Sequence, residues 1–368
     1  MREYFFVLIL LLLLLINLYV VIKLSHHIPI LKKNRILKWG LLFYGFSYLL
    51  GVYFVEHFNK NFVGDFLTFS GGIYLAFLNY MFLTFILIDI FYIIKKIFRL
   101  SNIVNDKVVY KIGIIFSILI VVVSFINTMF FNVKNYKIYT DKNINNKRIV
   151  FISDIHLAND SIPVYWEKVV DKINSLNPDY ILIGGDIIDR DAEIIDKNKF
   201  QKIFLKMKAR DGVYAILGNH EYYGDLDKNI DYIKKCNILL LKDSIIEKDK
   251  FLIIGREDRH NRNRKNLKEL IDDKQDEKFK IVLDHAPTYF NESLNNKVDL
   301  QLSGHTHNGQ FFPWNLITNY IYEVSSGEIT KEKSTLIVSS GIGGWGPKIR
   351  NFSTPQIILI EIKQKKNK

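Results

Sequence analysis

The sequence predicts two regions of different class. The first is an N-terminal transmembrane α-helical bundle of four helices. The second is an α/β domain of two packed β-sheets flanked by helices. Three observations carry this. Nearly all the long apolar runs lie before residue 132. Beyond it, short β-rich runs alternate first with amphipathic stretches and then with further strands, the pattern of two sheets covered by helices. Five short polar motifs each follow directly after one of those strands.

Four stretches are apolar and long enough to span a bilayer: Tyr4–Ile22, Trp39–Val55, Phe66–Ile94 and Ile112–Phe131. A span needs about 20 apolar residues. The first reads as an uncleaved helix, because its apolar core is long and Lys23, His26 and His27 stand where a small-residue cleavage site would. The loop after it carries Lys23, Lys32, Lys33, Arg35 and Lys38. The third loop carries Lys95, Lys96, Arg99, Lys107 and Lys111, whereas the second has only Lys60 against Glu56 and Asp65. Basic short loops stay cytoplasmic. A multi-pass chain in the cell membrane is therefore expected, with everything after Phe131 extracytoplasmic. Asp89, inside the third span, reads as an interfacial residue near Lys95 and Lys96, and anchoring is the expected role of the bundle. The expected organisation is a transmembrane domain at 1–132, a polar linker at 133–148 marked by Asn143, Asn145 and Asn146, and the α/β domain at 149–368.

Charge follows the same division. Residues 1–148 hold 17 Lys+Arg against 6 Asp+Glu, and the rest of the chain holds 33 against 32. The second region thus lacks the basic excess of a nucleic-acid-binding surface. Cys236 is the single cysteine, which excludes an intramolecular disulfide, and it reads as a small buried apolar residue.

In the α/β region, strands are expected at 148–153, 180–183, 213–217, 251–254, 280–283, 300–302, 336–338 and 356–362, and helices at 164–176, 200–207 and 230–236. Continuous Val/Ile/Leu runs imply sheets covered on both faces. The tail Lys363–Lys368 reads as a solvated end.

Five of the nine histidines fall in the strand-end motifs. These are Asp154-Ile155-His156, Gly218-Asn219-His220-Glu221, His285 in Leu283–Pro287, and Gly304-His305-Thr306-His307. Gly185-Asp186-Ile187-Ile188-Asp189-Arg190 adds carboxylates. In α/β sheets, ligands collect beyond the carboxyl ends of strands. Imidazole, carboxylate and amide donors without thiolate suit divalent cations of intermediate hardness, such as manganese, iron or zinc. A pair of such ions is a recurring device for cleaving phosphate esters.

This order of motifs resembles the calcineurin-like metallophosphoesterase superfamily over roughly residues 149–360. With the preceding helices and the Gly341–Arg350 segment, the chain looks like a bacterial membrane-associated branch of it. The resemblance implies a four-layer sandwich and two divalent metal ions. It implies Asp154, His156 and His307 as ligands of the first metal, Asn219, His285 and His305 as ligands of the second, and Asp186 as the bridge. It also implies His220 as the group assisting the leaving oxygen and Asp189 as its orienting partner, with a helix N-cap as the other reading of Asp189.

The expected function is that of a membrane-anchored binuclear phosphoesterase, more specifically a phosphodiesterase, using metal-activated water on an ester of lipid, cell-envelope or extracellular nucleotide origin. The alternative is a non-catalytic scaffold or a membrane sensor on the same fold. Arg190, Trp345 and Arg350 are candidate substrate contacts. The run Arg256, Arg259, His260, Arg262 and Arg264 is either a solvated loop or an anion contact.

Overall fold

The computed structural model describes residues 2–58, 62–99, 105–195, 197–271 and 277–365. Lys60 and the last three residues of the lysine tail lie outside them. The chain divides into two compact units, residues 1–126 with 346–349, and residues 127–345 with 350–368.

The first unit contains α1 (Arg2–His27), α2 (Pro29–Lys33), α3 (Arg35–Tyr44), α4 (Ser47–His57), α5 (Phe62–Ile97) and α6 (Asp106–Asn127). Among the described residues, α1, α5 and α6 are long and apolar enough to cross a membrane, and α3 with α4 forms a pair bent by 49°. The second expected span, Trp39–Val55, therefore falls on two helices with a bend between them. A break frees backbone carbonyls, which an apolar medium cannot solvate. Here the Asn17 amide of α1 donates to Leu42 O at 2.9 Å, and the Tyr74 hydroxyl of α5 to Leu41 O at 3.1 Å. Glycine lets α4 and α5 approach closely: a Cβ on Gly71 would lie 2.3 Å from Tyr48 N. Asp89, read as an interfacial residue, is half-buried and held by side chains of other helices. Its carboxylate accepts from Lys23, from Tyr19 at 2.7 Å and from Tyr110 at 3.0 Å. Helix packing brings these groups together across long sequence separations.

The second unit contains β1 (Asn132–Thr140), β2 (Lys147–Ile152), α7 (Pro163–Ser175), β3 (Tyr180–Ile183), α8 (Lys197–Phe204), β4 (Gly212–Ala215), α9 (Leu226–Lys235), β5 (Leu239–Leu240), β6 (Ser244–Lys248), β7 (Phe251–Gly255), α10 (Leu267–Leu270), β8 (Phe279–Leu283), α11 (Phe290–Asn295), β9 (Leu300–Ser303), α12 (Trp314–Ile321), β10 (Gly327–Lys331), β11 (Ser334–Val338) and β12 (Gln356–Gln364). The strands form two six-stranded sheets, ordered β1-β12-β2-β3-β4-β5 and β10-β11-β9-β8-β7-β6.

The alternation of side chains along each strand builds four layers. Ile149 and Phe151, Tyr180 and Leu182, Phe251 and Ile253, and Ile281 and Leu283 share the core between the sheets. Val150 and Ile152, with Ile181 and Ile183, face outward onto Trp166, Val169 and Ile173 of α7 and Phe200 and Ile203 of α8. On the other sheet, Leu252 and Ile254 pack on Leu267, while Leu336 and Val338 pack on Phe290.

Residues 133–148, expected as a linker, are not one. Half of the stretch is β1, which pairs in parallel with β12, Asn132 opposite Gln356. Its period-two signal, Tyr136 and Ile138, packs against the core between the sheets. The asparagines that read as solvated lie beyond the end of that strand.

Candidate metal centre

Strands β2, β3 and β4 of one sheet are mutually parallel, as are β7, β8 and β9 of the other. Their carboxyl ends therefore bring Asp154 and His156, Asp186, Asn219 and His220, His285, and His305 and His307 to one rim. Three groups of potential ligand atoms result: Asp154 with His156 and His307, His156 with Asp186 and His220, and Asp186 with His285 and His305, each within 4.8 Å. Asp186 belongs to two of them, and so does His156.

The backbone here is unusual. Asp154, His156, Asp186, His305 and His307 have φ between 48° and 72°, a region that residues with a Cβ seldom occupy and that clusters at functional sites. Hydrogen bonds hold it there. Asp154 N–H donates to Gly185 O at 3.0 Å and His156 N–H to Asp186 O at 2.9 Å. Two glycines keep room for the carboxylates: a Cβ on Gly218 would lie 2.2 Å from Asp186 Oδ1, and one on Gly304 2.3 Å from Asp154 Oδ2.

Most of the ring orientations are fixed by the nitrogen that does not face the centre. His285 Nδ1 lies 2.7 Å from Gly184 O, so it donates there and Nε2 is the nitrogen turned toward the centre. That Nε2 sits 3.1 Å from Asp186 Oδ2 and 3.2 Å from Asn219 Oδ1. His156 Nδ1 lies 3.0 Å from Asp189 Oδ1, which turns its Nε2 to within 3.0 Å of His307 Nε2. His307 Nε2 is 3.4 Å from Asp154 Oδ1. The Asn219 amide donates to Tyr223 Oη at 2.9 Å, so its Oδ1 faces His305 Nδ1 at 2.8 Å.

Asp189 lies between two rings, with Oδ1 3.0 Å from His156 Nδ1 and 3.2 Å from His220 Nδ1. The N-cap reading fails, since the next described helix starts at Lys197.

The titration tendencies follow. Burial pulls His305 down to about 3, aided by the charge of His285, and pulls His307 down to about 4 against Asp154. Burial would also lower His285, but the adjacent Asp186 carboxylate outweighs it and holds the imidazole well above its ordinary value. For His220, burial is overcome by the Asp189 hydrogen bond and the charges of Asp186 and Asp189, and the ring is pushed up to about 9. Asp154 and Asp186 stay below the usual carboxylate range despite burial, because imidazoles surround them.

This donor set fits divalent cations. Imidazole nitrogens, the Asn219 carbonyl oxygen and two fully buried carboxylates converge on one another, and His307 Nδ1 is buried without a hydrogen-bond partner.

The three candidate substrate contacts separate. Trp345 is 51% exposed, and its ring centroid lies 6.2 Å from that of His220. The Arg190 side chain is partly exposed, and its backbone carbonyl accepts from Asn229. Arg350 contradicts the expectation. It is buried, and its guanidinium donates to Gly341 O and Gly343 O at 3.0 Å each, to Ser340 O and to His307 O. A sequence shows the charge of an arginine but not its burial.

The basic run after β7 divides: Arg259, His260 and Arg262 are exposed, as a solvated loop would have them, while Arg256 is buried and Arg264 half-buried. Arg256 pairs with Glu292 at 2.7 Å, and Arg264 pairs with Asp284. Only Arg259 reaches the centre, with Nη2 3.3 Å from His305 Nε2. Sequence reading also left Glu221 without a role. It is fully buried and accepts the backbone N–H groups of Asp186, Ile187, Ile188 and Gly218. Its place beside His220 in the motif was the available signal.

A two-sheet domain with aspartate and histidine side chains converging from parallel strand ends defines a class, the metal-dependent hydrolases of phosphoric esters. Residues 147–309 match the family model described as calcineurin-like phosphoesterase. An uncharacterized metallophosphoesterase of Aquifex aeolicus is 31% identical over 66% of this chain and 96% of its own length. One of Campylobacter jejuni is 32% identical over 60% of each chain. The UDP-2,3-diacylglucosamine pyrophosphatase of Chlamydia muridarum is 27% identical over 58% of this chain and 82% of its own. The chain thus spans nearly all of the first relative and under two thirds of the second. It belongs to the calcineurin-like phosphoesterase family.

Proposed function

We propose that this chain is a multi-pass membrane phosphodiesterase with a binuclear metal centre, acting outside the cytoplasm on a phosphate ester of lipid or cell-envelope origin. The carrying observation is that the Asp186 carboxylate shares one ligand group with His156 and another with His285 and His305, and so reaches a member of each expected ligand set. A carboxylate can serve two cations and offset their repulsion, whereas imidazole and amide each serve one. Asp154, His156 and His307 would hold one ion, and Asn219, His285 and His305 the other. When bound, manganese, iron or zinc ions would supply positive charge to phosphate oxygens and depress the pKa of a water.

The chain's own residues do the rest. His220, with Nδ1 held by Asp189, keeps its transferable proton on Nε2 for the departing oxygen. Trp345 stands beside it at the rim and bounds the leaving-group side. A lipid-linked substrate is supported by the apolar helices and by the acyl-sugar substrate in the name of the chlamydial relative. The basic first and third loops support the outward domain.

The test is turnover of bis-p-nitrophenyl phosphate by the full chain in nanodiscs with manganese, followed by a panel of phospholipid, wall polymer and nucleotide. Asp186→Ala is expected to abolish turnover while the circular dichroism is retained. Wild-type turnover by that variant would sink the assignment, and a C-terminal reporter active only in the cytoplasm would overturn the sidedness.

A further inference from the structure

From Phe311 to Tyr322 the chain has twelve consecutive residues without a charge. They include α12, a helix with no buried residue. Trp314 is 49% exposed, Leu316 56%, Tyr320 91% and Ile321 63%. Phe352, 75% exposed, continues the patch, its ring centroid 5.9 Å from that of Phe312. Soluble surfaces seldom gather apolar groups in this way unless something covers them.

The helix is held in place, not left over. At its start, Phe312 N–H donates to the Asn351 carboxamide at 2.9 Å. At its end, Tyr322 N–H donates to Thr318 O at 2.9 Å, and the Ser325 hydroxyl donates to Asn319 Oδ1. The apolar side chains are therefore presented outward on a fixed frame.

We infer that the α12 face seats in the surface of a lipid bilayer. Two observations choose this occupant. The chain carries its own membrane helices, and only four residues separate the end of α6 at Asn127 from β1 at Asn132. The face also has interfacial chemistry, with tryptophan and tyrosine beside leucine and isoleucine and no charge to strand in the acyl boundary. The position matters for the centre. His307 precedes α12 by a short turn, and Tyr322 just beyond it has its ring centroid 6.2 Å from that of His305. Seating this face sets the ligand rim at headgroup depth.

The test uses the full chain in nanodiscs with a fluorophore at Tyr320→Cys. Lys234→Cys, an exposed site on α9, is the control. Cys236 is buried, so the wild-type chain treated with the same dye gives the background. Nanodiscs of phosphatidylcholine brominated on the acyl chains are the reporter. The label at 320 is expected to lose most of its emission to the brominated chains and little to aqueous iodide, with the reverse at 234. Strong iodide quenching at 320 without bromine quenching overturns the inference, because the face then stays in water. Shielding from both quenchers also overturns it, because a second copy or another protein then covers the face.

Discussion

The Glu221 carboxylate accepts the backbone N–H of Ile187 at 2.6 Å from a position with no solvent exposure. The same carboxylate takes three further N–H groups, those of Asp186, Ile188 and Gly218. One side chain thereby clamps the turn that presents Asp186 to the turn that presents Asn219. Each buried donor left bare costs about 1–3 kcal/mol. Glu221→Ala is expected to lower stability by about 3–5 kcal/mol once partial hydration is allowed for. Manganese uptake should weaken with it, since Asp186 loses its support. Thermal unfolding of the metal-loaded protein checks this, and an unchanged midpoint would show that the clamp is not needed.

Asp189 is more than the partner of one histidine. It holds His156 in the orientation that faces His307 and also keeps a proton on His220. Removing its charge should act on both. Asp189→Asn is expected to weaken metal retention and to move the alkaline limb of the pH–rate profile downward. The direction follows because burial alone lowers His220, and the Asp189 hydrogen bond and charge are among the groups, with the Asp186 charge, that raise it to about 9. A proton donor is lost as pH rises through its pKa, so a lower pKa loses activity earlier. His220→Ala should cost about 10²–10⁴-fold in kcat. An alkaline limb that stays in place in Asp189→Asn would remove His220 from the acid role.

Much of the centre was legible because its chemistry is local. Asp154, Asp186, Asn219, His285 and His305 each follow a strand that Val, Ile and Leu runs announce, and parallel pairing brings those ends together. What sequence did not disclose depends on packing. Strand β1 was obscured because its pattern is half polar, and its partner β12 lies at the other end of the chain. Arg350 read as a substrate contact because its loop follows a strand that shares the rim, whereas the fold surrounds it with carbonyls. The face of α12 had an apolar spacing that resembles any core helix. Only the exposure of Tyr320 and Ile321 shows that no core receives it.

Metal uptake should depend on pH in a definite direction. The Asp186 carboxylate holds His285 well above its ordinary pKa, so the metal-free site keeps a proton there. A cation at His285 Nε2 must displace it. Affinity then falls as pH falls, by about tenfold per pH unit for each proton released. His305 and His307, lowered to about 3 and about 4, add nothing near neutrality. Equilibrium dialysis with manganese from about pH 6 to about pH 8 measures the slope, whose expected size follows from one released proton. A flat profile would mean that His285 is already neutral in the free protein.

Arg350 offers the sharpest separation of structural from substrate roles. Burial pulls its guanidinium down to about 10, and its donors reach the carbonyls of Gly341, Gly343, Ser340 and His307. The His307 carbonyl ties this clamp to a candidate ligand. Truncation leaves several buried acceptors bare, each costing about 1–3 kcal/mol. Arg350→Ala should therefore lower stability by about 3–5 kcal/mol, the range seen when one partner of a buried charged network is removed. Arg350→Lys should recover only part of it, because a single ammonium cannot reproduce the planar fork. In whatever fraction stays folded, KM for a soluble diester should stay near that of the wild type. A variant that melts like wild type but shows a large rise in KM would return Arg350 to the rim and place the substrate where the fold now has backbone carbonyls.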